Sequence, residues 1–233
     1  MYTLDEVRPV WVEIDLDNLA HNIKEVRKNT KKDSLVTAVV KANAYGHGSI
    51  KAAEIFLENG ADRLAVATLS EAIELRKADI GAPILVLGYT PETQYHLVME
   101  WDITQTIFDY ESAKLLSNEA AKAEKDATIH IKIDSGMGRI GFLPNDTSVE
   151  DIVKIFKLPN LNMEGIFTHF ATADKKDKTY AKLQFSRFKE MVEKLENKGV
   201  HIPIKHVSNS ASIIDLDEFD WNMVRGGIMI YGL

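Results

Sequence analysis

Along the chain, apolar positions follow two periods that take turns. Short runs rich in Val, Ile, Leu and Thr, at residues 35–42, 63–68, 83–89, 103–108, 128–134, 163–170, 202–208 and 222–227, read as buried strands. Between them the apolar spacing widens to the 3.6-residue period of an amphipathic helix, at 49–60, 70–81, 110–125 and 181–199. Gly60 is placed to close the first of these helices and Ser70 to open the second. Eight strands alternating with helices predict an α/β fold with a parallel sheet, for which a (β/α)8 TIM-type barrel is the natural closure. An open doubly wound sheet is the competing architecture. No linker, low-complexity tract or repeat divides residues 1–233, so the chain reads as one domain. The charged run at 173–180 reads as a solvated loop. After the eighth strand the sequence runs "GGIMIYGL" with no full helix, and the expectation is a fragment of something longer.

Composition narrows the function classes. Hydrophobic residues make up 45 % and charged residues 27 % of the 233, the balance of an ordinary globular protein. A formal net charge of −7 argues against nucleic-acid and membrane-surface partners. With no cysteine in the chain, disulfides, thiolate metal sites and cysteine nucleophiles are excluded. The start, "MYTLDEVRPVWVEIDLDNL", has neither the basic nor the apolar region of a signal peptide, and no apolar run approaches the roughly 20 residues that span a bilayer. A cytoplasmic protein is expected.

In β/α barrels, functional groups gather where strands end at the C-terminal side. Here the first strand ends "VVKANAYGHG" with Lys41 and Tyr45, and the fifth runs through "IHIKIDSGMGRIG" to Arg139. The sixth ends at His169, the seventh at Asn209 and Ser210, and the eighth at Arg225. A lysine at a strand end either snorkels to water or, if buried, loses its proton or finds a partner. In the fifth strand Ile129, Ile131 and Ile133 share one face while His130, Lys132 and Asp134 share the other. If the isoleucines meet the helices, Lys132 lies inside the barrel and needs an anion; if the parity is inverted, it lies in water. "NSASI" and "RGGI" carry the small residues and hydroxyl that cradle a phosphate, at the two strands where barrels commonly bind one. A Schiff-base lysine together with a phosphate niche points to pyridoxal 5'-phosphate. Arg225 has only donors to offer a pyridine nitrogen, which would then stay unprotonated and withdraw electrons weakly. That suits removal and return of a proton at Cα better than decarboxylation or transamination.

Five stretches in order, "VVKANAYGHG", "KIDSGMGRIGF", "THFATAD", "SNSAS" and "VRGGIMIYGL", resemble the motifs of the alanine racemase family, fold-type III enzymes dependent on pyridoxal phosphate. The resemblance runs from the first strand to the last residue and implies interconversion of L- and D-alanine by two bases, supplying D-alanine for peptidoglycan. It implies that Lys41 carries the cofactor and serves as the base on the D-alanine side. Tyr45, Ser210 and the backbone of Gly227 and Ile228 would hold the phosphate, with Asn209 beside them. Arg225 would face the pyridine nitrogen, and Arg139 the phenolic oxygen and substrate carboxylate. Lys132 matches a lysine that family members can carry as a carbamate, and His169 would support a catalytic tyrosine from another subunit of a homodimer. In the family that tyrosine comes from a C-terminal β domain, for which this sequence shows no counterpart; the chain alone is therefore expected to be impaired. The alternatives are a non-catalytic pyridoxal-phosphate-binding barrel of this length, and a racemase for serine or other amino acids. No metal is expected.

Overall fold

The computed structural model describes residues 11–233. Eight parallel strands, β1 (Leu35–Val39), β2 (Arg63–Val66), β3 (Ile84–Val86), β4 (Thr104–Ile107), β5 (Ala127–Lys132), β6 (Leu161–Phe167), β7 (Ile204–His206) and β8 (Met223–Gly226), are ordered 7-6-5-4-3-2-1-8. Chain-sequential pairing with β1 between β2 and β8 is barrel order, and it excludes the open doubly wound sheet. Two backbone bonds join the sheet's edge strands: Asn222 N–H to the Lys205 carbonyl at 3.2 Å and Arg225 N–H to the Ser208 carbonyl at 3.1 Å.

All eight expected strands form, each shorter than its apolar run. The first stops at Val39, because Lys41–Tyr45 wind into a separate turn, α2. Helices α3 (Ser49–Glu58), α4 (Leu69–Lys77), α6 (Tyr110–Lys122) and α8 (Thr179–Asn197) fall on the four stretches with helical period; α5 (Tyr95–Glu100), α7 (Asp146–Phe156) and α9 (Ser210–Asp215) add to them. Two caps differ from expectation. Thr68, not Ser70, opens α4, because Glu71 completes a capping box with it. Asn59 caps α3, and Gly60 follows at φ +127°. Of the charged run 173–180, Thr179 and Tyr180 already belong to α8.

A helix from before the first strand lies beside β8. Helix α1 (Leu16–Asn29), held by its N-cap Asp15, buries Leu19, Ile23 and Val26, and Val26 reaches to within 3.8 Å of a Cβ built on Gly226. A helix that precedes β1 in the chain thus packs beside β8. Each fully buried aliphatic side chain of this kind contributes roughly 1.5–3 kcal/mol. Among the described residues no helix is long and apolar enough to cross a membrane. The expectation of no signal peptide rests in large part on residues 1–10, outside the described residues.

Parity in β5 runs as the isoleucines required. Ile129, Ile131 and Ile133 join the core shared with the helices, whereas His130 and Lys132 point into the barrel, buried at 0 % and 3 % exposure. Val39, Ala65 and Leu85 form a separate small apolar layer under the barrel mouth.

Candidate active site

The C-terminal mouth of the barrel holds a cavity of about 710 Å³. Lys41, Tyr45, Lys132, Arg139, His169, Asn209, Ser210, Arg225, Gly227 and Ile228 all line it, so every residue singled out from the sequence arrives at one place. Met137, Ile140 and Tyr89 add an apolar rim.

Lys41 is set by unusual backbone. Ala42, Asn43, Ala44 and Tyr45 all have φ between 52° and 54°, a left-handed helical turn made without glycine until Gly46. Such a conformation costs roughly 1–2 kcal/mol per residue, so neighbours must hold it. Glu71 accepts from Ala42 N–H at 2.7 Å, and Asn43 Oδ1 accepts from Ser49 N–H at 2.8 Å. Tyr45 leans on Tyr231, ring centroids 5.0 Å apart, and Tyr231 in turn donates to the Val39 carbonyl at 2.9 Å. The turn brings Tyr45 round to the ends of β7 and β8. A Cβ on Gly227 would lie 3.2 Å from the Tyr45 hydroxyl and 3.5 Å from Ser210 Oγ, so a side chain there would crowd the niche. Ser210 Oγ accepts from Gly227 N–H at 3.0 Å and Met229 N–H at 3.4 Å. Asn209, by contrast, spends its side chain on the N-cap of α9.

The cavity is cationic. Lys132 donates to the Ile133 carbonyl at 2.9 Å and lies 5.1 Å from the centre of the Phe167 ring. Burial, with the charges of Arg225 and Arg139, lowers its pKa to about 7 against the pull of Asp134. Arg225 is 3 % exposed and held by neutral groups: His206 Nδ1 at 2.7 Å, the Thr168 carbonyl at 2.9 Å and the Val207 carbonyl at 3.0 Å. Burial and Arg139 lower it to about 9. Burial and the surrounding cations push His169 far below the ordinary histidine value, so it is neutral near pH 7. Such a mouth selects an anionic ligand.

A model of the family described as "Alanine racemase, N-terminal domain" matches residues 14–233. The chain belongs to that family. It is 53 % identical over 226 residues to the alanine racemase of Clostridium tetani and 55 % identical over 225 residues to that of Methanococcus maripaludis, in each case over 97 % of this chain. Those matches cover 58 % and 60 % of the two relatives, so the chain spans about three-fifths of their length. The fold superposes on alanine racemase of Clostridium difficile 630 in complex with cycloserine at a TM-score of 0.95 and 45 % identity, over 96 % of this chain and 62 % of that one. On the Bacillus anthracis alanine racemase with bound L-Ala-P the TM-score is 0.90 at 40 % identity, over 97 % of this chain and 58 % of that one.

Within this alanine racemase-family barrel, Asp134, which the sequence placed only on the face of Lys132, and Glu71, which it did not single out, both shape the site. Asp134 accepts from four backbone N–H groups, those of Gly136, Met137, Gly138 and Arg139, at 2.8–3.0 Å, and so shapes the loop that carries Arg139. Burial would raise its pKa, but those four bonds outweigh it and hold the carboxyl below its usual value. Glu71 ties Ala42 N–H to Ala67 and Thr68 N–H, the latter two at 2.7 and 3.1 Å. The glycine spacing of "DSGMGRIG" and the Thr-x-x-Glu spacing were the signals for each.

Proposed function

We propose that this chain is the cofactor-holding barrel of a cytoplasmic alanine racemase that interconverts L- and D-alanine and so supplies D-alanine for the cell wall, with residues 1–233 as one domain of a homodimeric enzyme. Pyridoxal 5'-phosphate is its cofactor, and the residues fit that group. The Tyr45 and Ser210 hydroxyls and the uncrowded backbone at Gly227 and Ile228 fit a phosphate, Lys41 supplies an amine for the aldehyde, and among the described residues no carboxylate bonds Arg225. Bound there, the cofactor supplies the electron sink that acidifies the Cα–H of an amino acid. The chain's own groups do the rest. Lys41, whose amine would hold the cofactor's aldehyde, would be the base that takes or returns the α-proton on one face. Arg225 has only donors to offer and would hold the ring nitrogen without protonating it, a weak electron sink that suits proton exchange. Arg139 orients the substrate carboxylate. On the opposite face the base is a tyrosine of a second subunit, oriented by His169. Lys132, half neutral near pH 7, adds carbon dioxide through its amine nitrogen and releases one proton, which turns a buried cation into an anion among arginines.

The observation that carries this reading is the convergence of Lys41, the Tyr45–Ser210–Gly227 niche and Arg225, held by neutral groups, in one cavity. Exchange of the α-proton in heavy water, measured separately on D- and L-alanine with added pyridoxal phosphate, tests it. Wash-out from D-alanine through Lys41 is expected. Bound cofactor with no exchange from either enantiomer would leave a cofactor-holding barrel and overturn the racemase reading.

A further inference from the structure

Below the cavity, inside the barrel, a row of buried polar groups runs out to the half-buried Glu164, and the reading above leaves it without a task. Arg63 Nη2 donates to Glu164 Oε2 at 2.8 Å, and His130 Nε2 meets the same oxygen at 2.8 Å. His130 Nδ1 and His206 Nε2 are 2.9 Å apart, and His206 Nδ1 is 2.7 Å from Arg225 Nη1. Both histidines are fully buried, and Arg63 is 6 % exposed.

The two ends fix every proton between them. A guanidinium has donors only, so His206 Nδ1 must accept. A neutral His206 then carries its proton on Nε2 and donates to His130 Nδ1. His130 is left with its proton on Nε2, where it meets a carboxylate that can only accept. Read from the other end, Glu164 imposes the same tautomers. Burial, with the charges of Arg225 and Arg63 nearby, lowers both histidines, for His130 against the pull of Glu164, which agrees with the neutral tautomers the geometry requires. Burial alone would raise Glu164, but His130 and Arg63 outweigh it and hold its pKa at about 2.

Two features of the backbone serve this row. The β5–β6 register passes from Ile129 opposite Met163 to His130 opposite Gly165, so Glu164 is the extra residue of a β-bulge, a device that re-aims a side chain. At Gly165 a Cβ would lie 2.4 Å from the His130 ring, so any other residue there would displace the imidazole.

We propose that Glu164, His130 and His206 form a hydrogen-bond chain of fixed polarity that positions Arg225 for the bound ligand, through two neutral imidazoles instead of a contact carboxylate. The three are positioning residues, and the ligand half of the statement rests on the cofactor reading above. The chain keeps Arg225 in one orientation while leaving it a full-strength donor, since among the described residues the groups that bond it are neutral.

Side-chain 15N spectra of the chain without cofactor, between about pH 6 and 8, test the tautomers directly. His130 and His206, assigned by loss of signals in His130→Gln and His206→Asn, are expected to be neutral with the proton on Nε2 throughout. An imidazolium, or a proton on Nδ1 of either, overturns the proposal whether or not the protein takes up pyridoxal phosphate. The second arm uses the loaded protein. His206→Leu should weaken cofactor binding about tenfold, the size of one lost charged hydrogen bond, and shift the bound absorbance band. His206→Asn, whose Oδ1 replaces Nδ1 as acceptor, should restore most of both. Unchanged affinity and spectrum in a folded His206→Leu, or no rescue by Asn, refutes the positioning role. Failure of the unsubstituted protein to bind the cofactor would sink the cofactor reading, with the tautomers left to decide the chain.

Discussion

Lys132 stands at the end of β5 with 3 % of its surface exposed and a single carbonyl to accept from it. Its pKa of about 7 in the folded protein, against an ordinary 10.5, sets the sign of a stability effect. Below pH 7 the lysine is charged in both states, and the folded state carries the full cost of the buried charge. Between about 7 and 10.5 the unfolded chain holds a proton that the folded one has released, so stability rises with pH. Above that window the burden is gone. Lys132→Met should therefore stabilise the protein in bicarbonate-free buffer by an amount on the order of a few kcal/mol at pH 6, and by progressively less toward pH 10. Urea denaturation at several pH values checks this; a gain that grows with pH would refute the buried cation. Lys41 is judged by chemistry. Borohydride reduction with pyridoxal phosphate should label Lys41 and leave Lys41→Ala unlabelled, and a label found on Lys132 instead would reassign the cofactor lysine. The inward direction of Lys132 was legible because isoleucines alternate around it. Glu164 was not, since the bulge that aims it breaks the alternation on which such a reading depends.

At the scale of elements, the turn α2 decides the geometry of the site. It converts the end of a strand into a corner from which Lys41 and Tyr45 both reach the cavity. The sequence reading ran the first strand through Ala42, because Val-Val-Lys-Ala carries no breaker, and Gly46 and Gly48 announce a turn only after it has begun. A run of left-handed residues has no periodic signature; it exists here because Glu71 and Asn43 supply acceptors and Ala44 is buried among neighbours. Strain of this kind can be measured. Ala42 is exposed at φ 52°, so Ala42→Gly removes a steric cost without opening a cavity and should raise unfolding free energy by about 1 kcal/mol. Loss of stability in that variant would show that the turn is unstrained. Helix α1 teaches a related lesson. Strand counting correctly gave eight, but the helix that packs beside β8 lies at the other end of the chain, where no local pattern links it to the strand it covers.

For the molecule as a whole, the sign of the charge changes between surface and site. The chain carries −7 overall, yet Lys41, Lys132, Arg139 and Arg225 share one cavity. A net charge of that size would repel a phosphate at long range, while a cationic mouth between low-dielectric walls focuses the field and draws it in once it is within a Debye length of roughly 10 Å. Sequence totals show only the first of these effects; the second depends on barrel closure, which gathers residues from β1, β5 and β8 that lie up to 184 positions apart. The two effects predict a weak or inverted salt dependence for the native protein. Arg139 is the exposed member of the four, so it contributes mainly to capture. Arg139→Gln should slow pyridoxal phosphate association several-fold at low salt and leave dissociation nearly unchanged, with the difference from the native protein shrinking as salt is raised from about 0.02 to 0.5 M. Stopped-flow absorbance gives both rate constants. A salt-independent difference, or one confined to dissociation, would mean that Arg139 grips the bound ligand at short range and that steering by the mouth is negligible.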